Sequence, residues 1–198
     1  MAFQPLLSPW WKLGDLEEVT PNTTSAVPLD ELKAFLKITT IDDDPELTRA
    51  SVEATRMMQF EIGRAITSWV LRLHLDEFPL VIDLPYPPLI GSLTSIQYVD
   101  TAGVTQTLAA SEYQVHATRD FVRVIPAYSK AWPSVRYQYG AVKVNYTAGF
   151  ATADMPPEIK LAVKWKVKLL REDQLTGTIA RELRDGYERI VNTVRRAA

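Results

Sequence analysis

The spacing of the apolar residues changes at about Ser68, and this change constrains the fold more than any other feature of the sequence. Upstream, residues 29–38 and 45–66 place apolar side chains at steps of three and four, which predicts two amphipathic helices. Downstream, apolar and more polar residues alternate from Trp69 to Leu75, as in a half-buried strand. This order predicts helices followed by a β-rich block.

The helix boundaries are marked by proline, aspartate and glycine. The first helix is predicted to begin after Pro28 and to end near Thr39. Asp44, which precedes Pro45, is predicted to cap the second helix, and Gly63 is its predicted stop. The carboxylates of residues 42–46 lack the alternating spacing and the glycine of a calcium loop, so the segment is interpreted as a helix start.

The β-rich block carries several further strand signals. Residues 96–108 predict a hairpin with its turn at 100–103, and residues 113–116, 121–125 and 141–146 predict three more strands. Pro85, Pro87 and Pro88 exclude a central strand between them, which indicates an edge or a connection.

The two ends of the chain differ from this block. Residues 158–173 alternate as a strand would, but their length and the prolines before them favour a helix. Residues 178–196 predict an amphipathic helix. Residues 1–27 contain several prolines yet are rich in tryptophan and leucine, which indicates an arm that packs on its own body or on a neighbouring subunit.

The predicted fold is therefore α+β, a small α-helical bundle with an inserted antiparallel β domain and extended N- and C-terminal arms. The predicted divisions are an N-terminal arm (1–27), a helical part (28–66), an inserted β-rich part (67–150), a helix that completes the bundle (155–174) and a C-terminal docking segment (175–198).

Residues that carry catalytic or metal chemistry are sparse. The chain has no cysteine, and its two histidines, His74 and His116, lack the spacing of a zinc site. No serine lies in a GxSxG motif, and no glycine pattern fits a dinucleotide or phosphate loop. We expect neither an enzyme nor a metal or cofactor, and no apolar run approaches the roughly 20 residues of a membrane span.

Six phrases in a fixed order carry a family resemblance. They are LDELKAFLKI, PELTRASVEATRMMQFEIGRAI, DLPYPPL, IQYVDTAGVTQTL, SEYQVH and VKVNYTAGF. Over roughly positions 28–172 the chain resembles the head-tail connector (adaptor) proteins of long-tailed bacteriophages and phage-like particles.

The resemblance implies a structural protein that forms a ring between portal and tail and encloses the DNA channel, twelve-fold if the ring follows its portal. The implied partners are the portal protein, a tail-proximal neck protein (stopper or tail terminator), further copies of the chain and double-stranded DNA in transit, with no membrane. The implied location is the neck of a virion or phage-like particle, and the host cytoplasm during assembly.

Three sets of residues are expected to make these contacts. The portal-binding set combines the apolar stripe of the last segment with its terminal arginines: Ile179, Leu183, Tyr187, Ile190, Val191, Val194, Arg195 and Arg196. The subunit-interface set is the apolar part of the N-terminal arm: Phe3, Leu6, Leu7, Trp10 and Trp11. The DNA-channel set is Lys160, Lys164 and Lys168.

Two other classes stay open. Another neck or tail completion protein would share the ring symmetry and touch different neighbours. A nucleic-acid-binding protein would use the lysines of residues 160–168 and the terminal arginines against phosphates, but a pI near 5.8 argues against strong duplex binding.

Overall fold

The computed structural model describes residues 14–151, 154–171 and 178–197, and within them the chain forms two compact units. The helical unit combines Asn22–Thr67 with the described residues from 150 onward, and the β unit combines residues 14–21 with Ser68–Gly149. The units contain four helices and eight strands, with all strand pairs antiparallel. The predicted α+β class is confirmed.

The helical unit consists of α1 (Leu29–Leu36), α2 (Asp44–Ile62), α3 (Pro157–Arg171) and α4 (Thr178–Ala197). The helical alternative for residues 158–173 is the correct one as far as Arg171, and its buried positions follow helical spacing. Burial of apolar surface is the main favourable contribution to such a unit. Its core contains Ala26, Val27, Leu32, Leu47, Ala54, Met58, Ile66, Met155, Ile159, Ala162, Val163, Val167, Tyr187 and Val191.

The start of α2 differs from the prediction by one residue. Asp43 occupies the cap position without a side-chain hydrogen bond, and Asp44 is the first helical residue. The prediction of Asp44 as the cap is wrong because its carboxylate is taken by Lys33 of α1, whose Nζ lies 2.6 Å from Asp44 Oδ1. Helix α2 ends at Gly63 as predicted, with a left-handed φ of 69° that glycine adopts at little cost.

A buried amide anchors the chain at the end of α2. Gln59 Oε1 accepts hydrogen bonds from Asn22 Nδ2 (3.2 Å), Ile66 N (3.0 Å) and Thr67 N (3.3 Å). Asn22 Nδ2 also donates to Thr67 Oγ1 at 2.8 Å. Since buried polar groups are costly when unpaired, this network fixes residues 22 and 66–67 against α2.

The β unit contains two sheets. The five-stranded sheet has the order β1-β2-β8-β4-β5, and the three-stranded sheet has the order β3-β7-β6. The strands are β1 (Gly14–Glu18), β2 (Trp69–Leu75), β3 (Ile82–Leu84), β4 (Ser95–Val99), β5 (Thr105–Thr107), β6 (Tyr113–Ala117), β7 (Val122–Pro126) and β8 (Val142–Ala148). The predicted alternation in β2 is confirmed, because Trp69, Leu71, Leu73 and Leu75 are all buried.

Strand β1 lies within the segment that the sequence analysis assigned to an arm. It pairs with β2 at the edge of the five-stranded sheet. A row of polar side chains crosses the sheet from it: Glu17 Oε2 accepts from Arg72 Nη1 (3.0 Å), Arg72 Nε donates to Asn145 Oδ1 (2.7 Å), and Asn145 Nδ2 donates to Ser95 Oγ (2.9 Å). These four residues are direct cross-strand partners, so the row fixes the register of four strands.

The predicted hairpin is present as β4 and β5. Asp100 Oδ1 accepts from the backbone N–H groups of Ala102 (3.0 Å) and Val104 (2.9 Å), and Gly103 has a φ of 88°. A hydrogen bond from the Gln106 side chain, followed by those from the turn backbone, lowers the pKa of Asp100. The carboxylate thus holds the turn in the conformation that the DTAG sequence favours.

Candidate functional site

The apolar stripe of α4 is partly used within the protein's own helical unit. Tyr187 and Val191 are buried in the core of that unit, while Leu183 and Ile190 are half-buried. The side chains of Ile179, Val194 and Arg196 lie outside the described residues. Portal binding by this set stays a prediction, but Tyr187 and Val191 already have neighbours on their own chain.

Glu61 of α2 is the polar centre that attaches α4. Its carboxylate accepts hydrogen bonds from the Tyr187 hydroxyl and from Lys166 Nζ, and Lys166 also lies over the Tyr187 ring at 4.9 Å. Arg195 Nη2 donates to the Glu61 carbonyl at 2.7 Å. Burial, followed by the hydrogen bond to Glu61 and its negative charge, raises the pKa of Tyr187. The cluster therefore connects three helices through one carboxylate.

The three lysines of the predicted channel set are all half-buried along α3. Lys164 Nζ lies 2.5 Å from Glu31 Oε1 of α1 and 5.9 Å from the centre of the Phe35 ring. Lys168 Nζ lies 5.7 Å from the Trp165 ring. Because Glu31 neutralises Lys164, that lysine contributes little free positive charge to any channel. The assignment of the set to a DNA channel remains a prediction.

The predicted subunit-interface residues of the N-terminal arm lie outside the described residues. The structure describes the chain from Gly14, where β1 begins. Gly14 is the first residue of β1, and it pairs with Leu75, the last residue of β2. The arm is therefore attached at this end of the five-stranded sheet.

Both histidines lie in strands of the β unit. His74 Nε2 of β2 lies 2.8 Å from Glu17 Oε2 of β1, and this hydrogen bond is the largest contribution that lowers the pKa of Glu17, ahead of Arg72. His116 of β6 lines an open groove beside Arg123, which lies 2.8 Å from Asp83. Among the described residues, no group of three or more histidine, aspartate or glutamate side chains is arranged to hold a metal ion.

The structure also shows an exposed surface that the sequence analysis did not identify. Tyr137 is 99% exposed, Tyr139 is 75% exposed and Val104 of the hairpin is 55% exposed. Arg136 N donates to Val99 O at 3.0 Å, and the guanidinium lies against Gly103, where an added Cβ would meet Nη1 at 2.7 Å. We call these four residues, Val104, Arg136, Tyr137 and Tyr139, the tyrosine surface.

The tyrosine surface is built by a loop that is attached to the hairpin. Val135 forms an isolated bridge with Asp100, and Gly140 N donates to Asp76 Oδ1 at 2.8 Å. Between these anchors the side chains of residues 136–139 are all exposed. The sequence contains a signal for this surface, the run RYQY at residues 136–139. The sequence does not show whether those side chains face the core, whereas the structure shows that all four are exposed.

No helix in the described part of the chain has the length and apolar content needed to cross a membrane. The sequence matches no protein-family model, and no curated protein matches it.

Solved structures of gene transfer agent (GTA) particles contain chains with a similar fold. A chain in the neck of a native GTA particle, with C12 symmetry, has a TM-score of 0.68 and 23% identity over 87% of this chain and 94% of that chain. A chain in the neck of an empty GTA particle, with C6 symmetry, has a TM-score of 0.67 and 24% identity over 83% and 86%. A chain in the virion of a native GTA particle has a TM-score of 0.65 and 25% identity over 82% and 85%. This protein therefore has the fold of chains found in the necks of phage-like particles.

Proposed function

We propose that this protein is a head-tail connector of a tailed phage or phage-like particle, forming a ring between portal and tail that encloses the DNA channel. The observation that carries the proposal is the likeness to a chain of a GTA neck, which extends over 94% of that chain. The likeness also covers 87% of this chain, so it includes residues of both the helical unit and the β unit. The proposed role is structural and requires no catalytic group.

The symmetries of those necks support a ring of this protein. The similar chains occur in necks described with C12 and C6 symmetry, and a ring requires two different complementary surfaces on each subunit. The proposed neighbours above and below the ring are the portal and a stopper or tail terminator. A cryo-EM reconstruction of the particle neck tests this directly. We expect twelve copies beside the portal, and a single copy or a two-fold dimer would refute the ring.

We further propose that α4 and the residues after it make the portal contact. The helix combines a buried stripe with exposed charged positions, among them Arg184, Arg189 and Arg195. Because Tyr187 and Val191 are buried on their own chain, contact through the whole stripe would require α4 to separate from α2 and α3. Contact through the half-buried Leu183 and through Arg196 would not, whereas Arg195 already donates to the Glu61 carbonyl.

Two variants test the portal contact. A chain ending at Thr176 should leave the β unit folded and should no longer join portal-bearing heads. Since this truncation also removes Tyr187 and Val191 from the core, Arg196→Glu serves as the less disruptive variant, with Arg49→Glu at an exposed site of α2 as the charge-matched comparison. Normal head binding by a folded truncated chain would refute a C-terminal portal contact.

The same particles separate the alternative classes. A ring next to the tail tube with no portal contact would indicate a terminator or completion protein. Retention of the purified chain on duplex DNA at physiological salt would indicate a nucleic-acid-binding protein, whereas a connector that lets DNA slide should bind it weakly.

A further inference from the structure

The tyrosine surface has the composition of a binding site rather than of ordinary solvent-exposed surface. Tyrosine, tryptophan and arginine are enriched at the energetically important centres of protein interfaces. Here two exposed tyrosines and one arginine lie on the loop that is attached to the hairpin, and the exposed Val104 lies on the hairpin itself. In the described part of the chain, the Arg136 guanidinium has no carboxylate partner, and the Arg136 side chain is exposed beside Gly103.

The chain itself supplies an occupant of matching chemistry. Residues 1–13 precede the first described residue and include the apolar set Phe3, Leu6, Leu7, Trp10 and Trp11, with Lys12 as their single charged side chain. Tryptophan rings pack on tyrosine rings with offset or edge contacts, and an arginine guanidinium is attracted to the face of an indole. The tyrosine surface offers both kinds of group.

The arm is attached at the same end of the β unit as the tyrosine surface. Tyr139 Oη lies 3.5 Å from Asp15 Oδ2, one residue after the first described position. Strand β2 ends at Leu75, which is the residue paired with Gly14. A subunit in a ring therefore presents its arm and its tyrosine surface near the same end of the five-stranded sheet.

We propose that the tyrosine surface of one subunit binds the N-terminal arm, residues 1–13, of a second copy of this chain. This proposal rests on the proposed ring. Thirteen extended residues reach about 43 Å, compared with a radius of gyration of about 13 Å for a unit of a hundred residues, so the arm is long enough to cross to a neighbour.

Cysteine cross-linking tests which chain the arm contacts. The protein has no cysteine, so a disulfide can form only between introduced residues. The test variant carries Trp10→Cys and Tyr137→Cys. The control carries Trp10→Cys and Tyr128→Cys, since Tyr128 is 91% exposed and follows the three-stranded sheet. Both full-length variants are oxidised in purified particles and, in parallel, as concentrated purified protein.

Binding between subunits predicts a ladder of covalent multimers for the test pair and monomers for the control pair. An internal disulfide in the test pair, seen as monomer without free thiols, would overturn the proposal by assigning the arm to its own chain. Absence of any cross-link in both preparations, or equal ladders for both pairs, would also overturn it.

Loss of side chains provides a second measurement that does not depend on cysteine. Tyr137→Ser combined with Tyr139→Ser should weaken self-association about 30-fold, the effect of losing one strong interface contact, as measured by sedimentation. Tyr128→Ser should leave it unchanged, and unchanged association of the double variant would refute the proposed surface.

Failure of this inference is distinguishable from failure of the proposed function. Necks that contain a ring of the protein without the cross-link would retain the connector function and refute the arm contact. A cross-linked ladder in the purified protein, with no copies in particle necks, would refute the connector and retain the arm contact.

Discussion

Tyr187 holds α4 against α2 and α3, and its replacement by alanine is expected to release the helix from its own unit. The side chain is buried in the core of the helical unit and its hydroxyl donates to Glu61. Removal of a buried aromatic ring costs about 3–5 kcal/mol, which is a large part of the stability of a small unit. Tyr187→Ala should therefore lower the urea midpoint of the helical unit.

The phenylalanine variant separates the ring from its hydroxyl. Tyr187→Phe keeps the packing and removes the hydrogen bond to Glu61, which still accepts from Lys166. The expected cost is about 1.5–3 kcal/mol, the usual range for one hydrogen bond to a charged group. Tyr128→Ala at an exposed loop site should change the free energy of unfolding by less than about 0.5 kcal/mol.

Alkaline pH gives an independent check of the same cluster. Because burial raises the pKa of Tyr187, the folded state binds the phenolic proton more tightly than the unfolded chain does. The resulting stability is fully present below about pH 10, the usual pKa of tyrosine, and is lost as the pH rises above it. Tyr187→Phe should reduce this alkaline loss without abolishing it, since burial also raises the pKa of Tyr146 in the β unit.

The assay is urea unfolding followed by far-UV circular dichroism, with hydrogen exchange to assign the change to α4. An unchanged urea midpoint for Tyr187→Ala would refute the packing argument. It would also mean that Tyr187 is free for a portal partner, as the predicted portal-binding set requires.

Two further predictions concern the buried amide and the histidines. Gln59→Leu leaves the backbone N–H groups of Ile66 and Thr67 without their acceptor. It also removes the buried, unpaired Gln59 Nε2, so we expect a net loss of about 2–4 kcal/mol in urea unfolding. Glu53→Leu at an exposed site of α2 should change little, and equal effects of the two substitutions would contradict the network. His74→Ala should raise the pKa of Glu17 toward its usual value in an NMR titration, whereas His116→Ala should not, and both variants should assemble into particles as well as the unsubstituted chain.

Periodicity predicted most of the secondary structure because its signal is local. The helices α2, α3 and α4 and the strands β2, β4 and β8 each carry apolar residues at the spacing that their burial requires. Strand β1, with the sequence GDLEE, has no such alternation, and it is held instead by contacts to β2 that include Glu17 with Arg72. Partners more than fifty residues apart cannot be recognised from one segment, so this strand was assigned to an arm.

The candidate surfaces were harder to predict for the same reason. Lys164 was placed in a basic row by its helical spacing, but its charge is met by Glu31, which lies on another helix. The stripe of α4 was correctly predicted as amphipathic, whereas burial of Tyr187 depends on Glu61 and Met58 of α2. A sequence pattern shows that a face is apolar, but not whether its own chain or a partner covers it.

The division of the helical unit into two chain segments has a consequence for synthesis on the ribosome. Helix α2 ends at Ile62, and α3, which covers much of the same core, begins at Pro157. At about 5–20 residues per second, the nascent chain holds the apolar side of α2 uncovered for roughly 5–20 seconds while the β unit is translated. Chaperone demand and aggregation should therefore depend on translation speed through residues 68–149, a segment that contributes no side chain to the helical core.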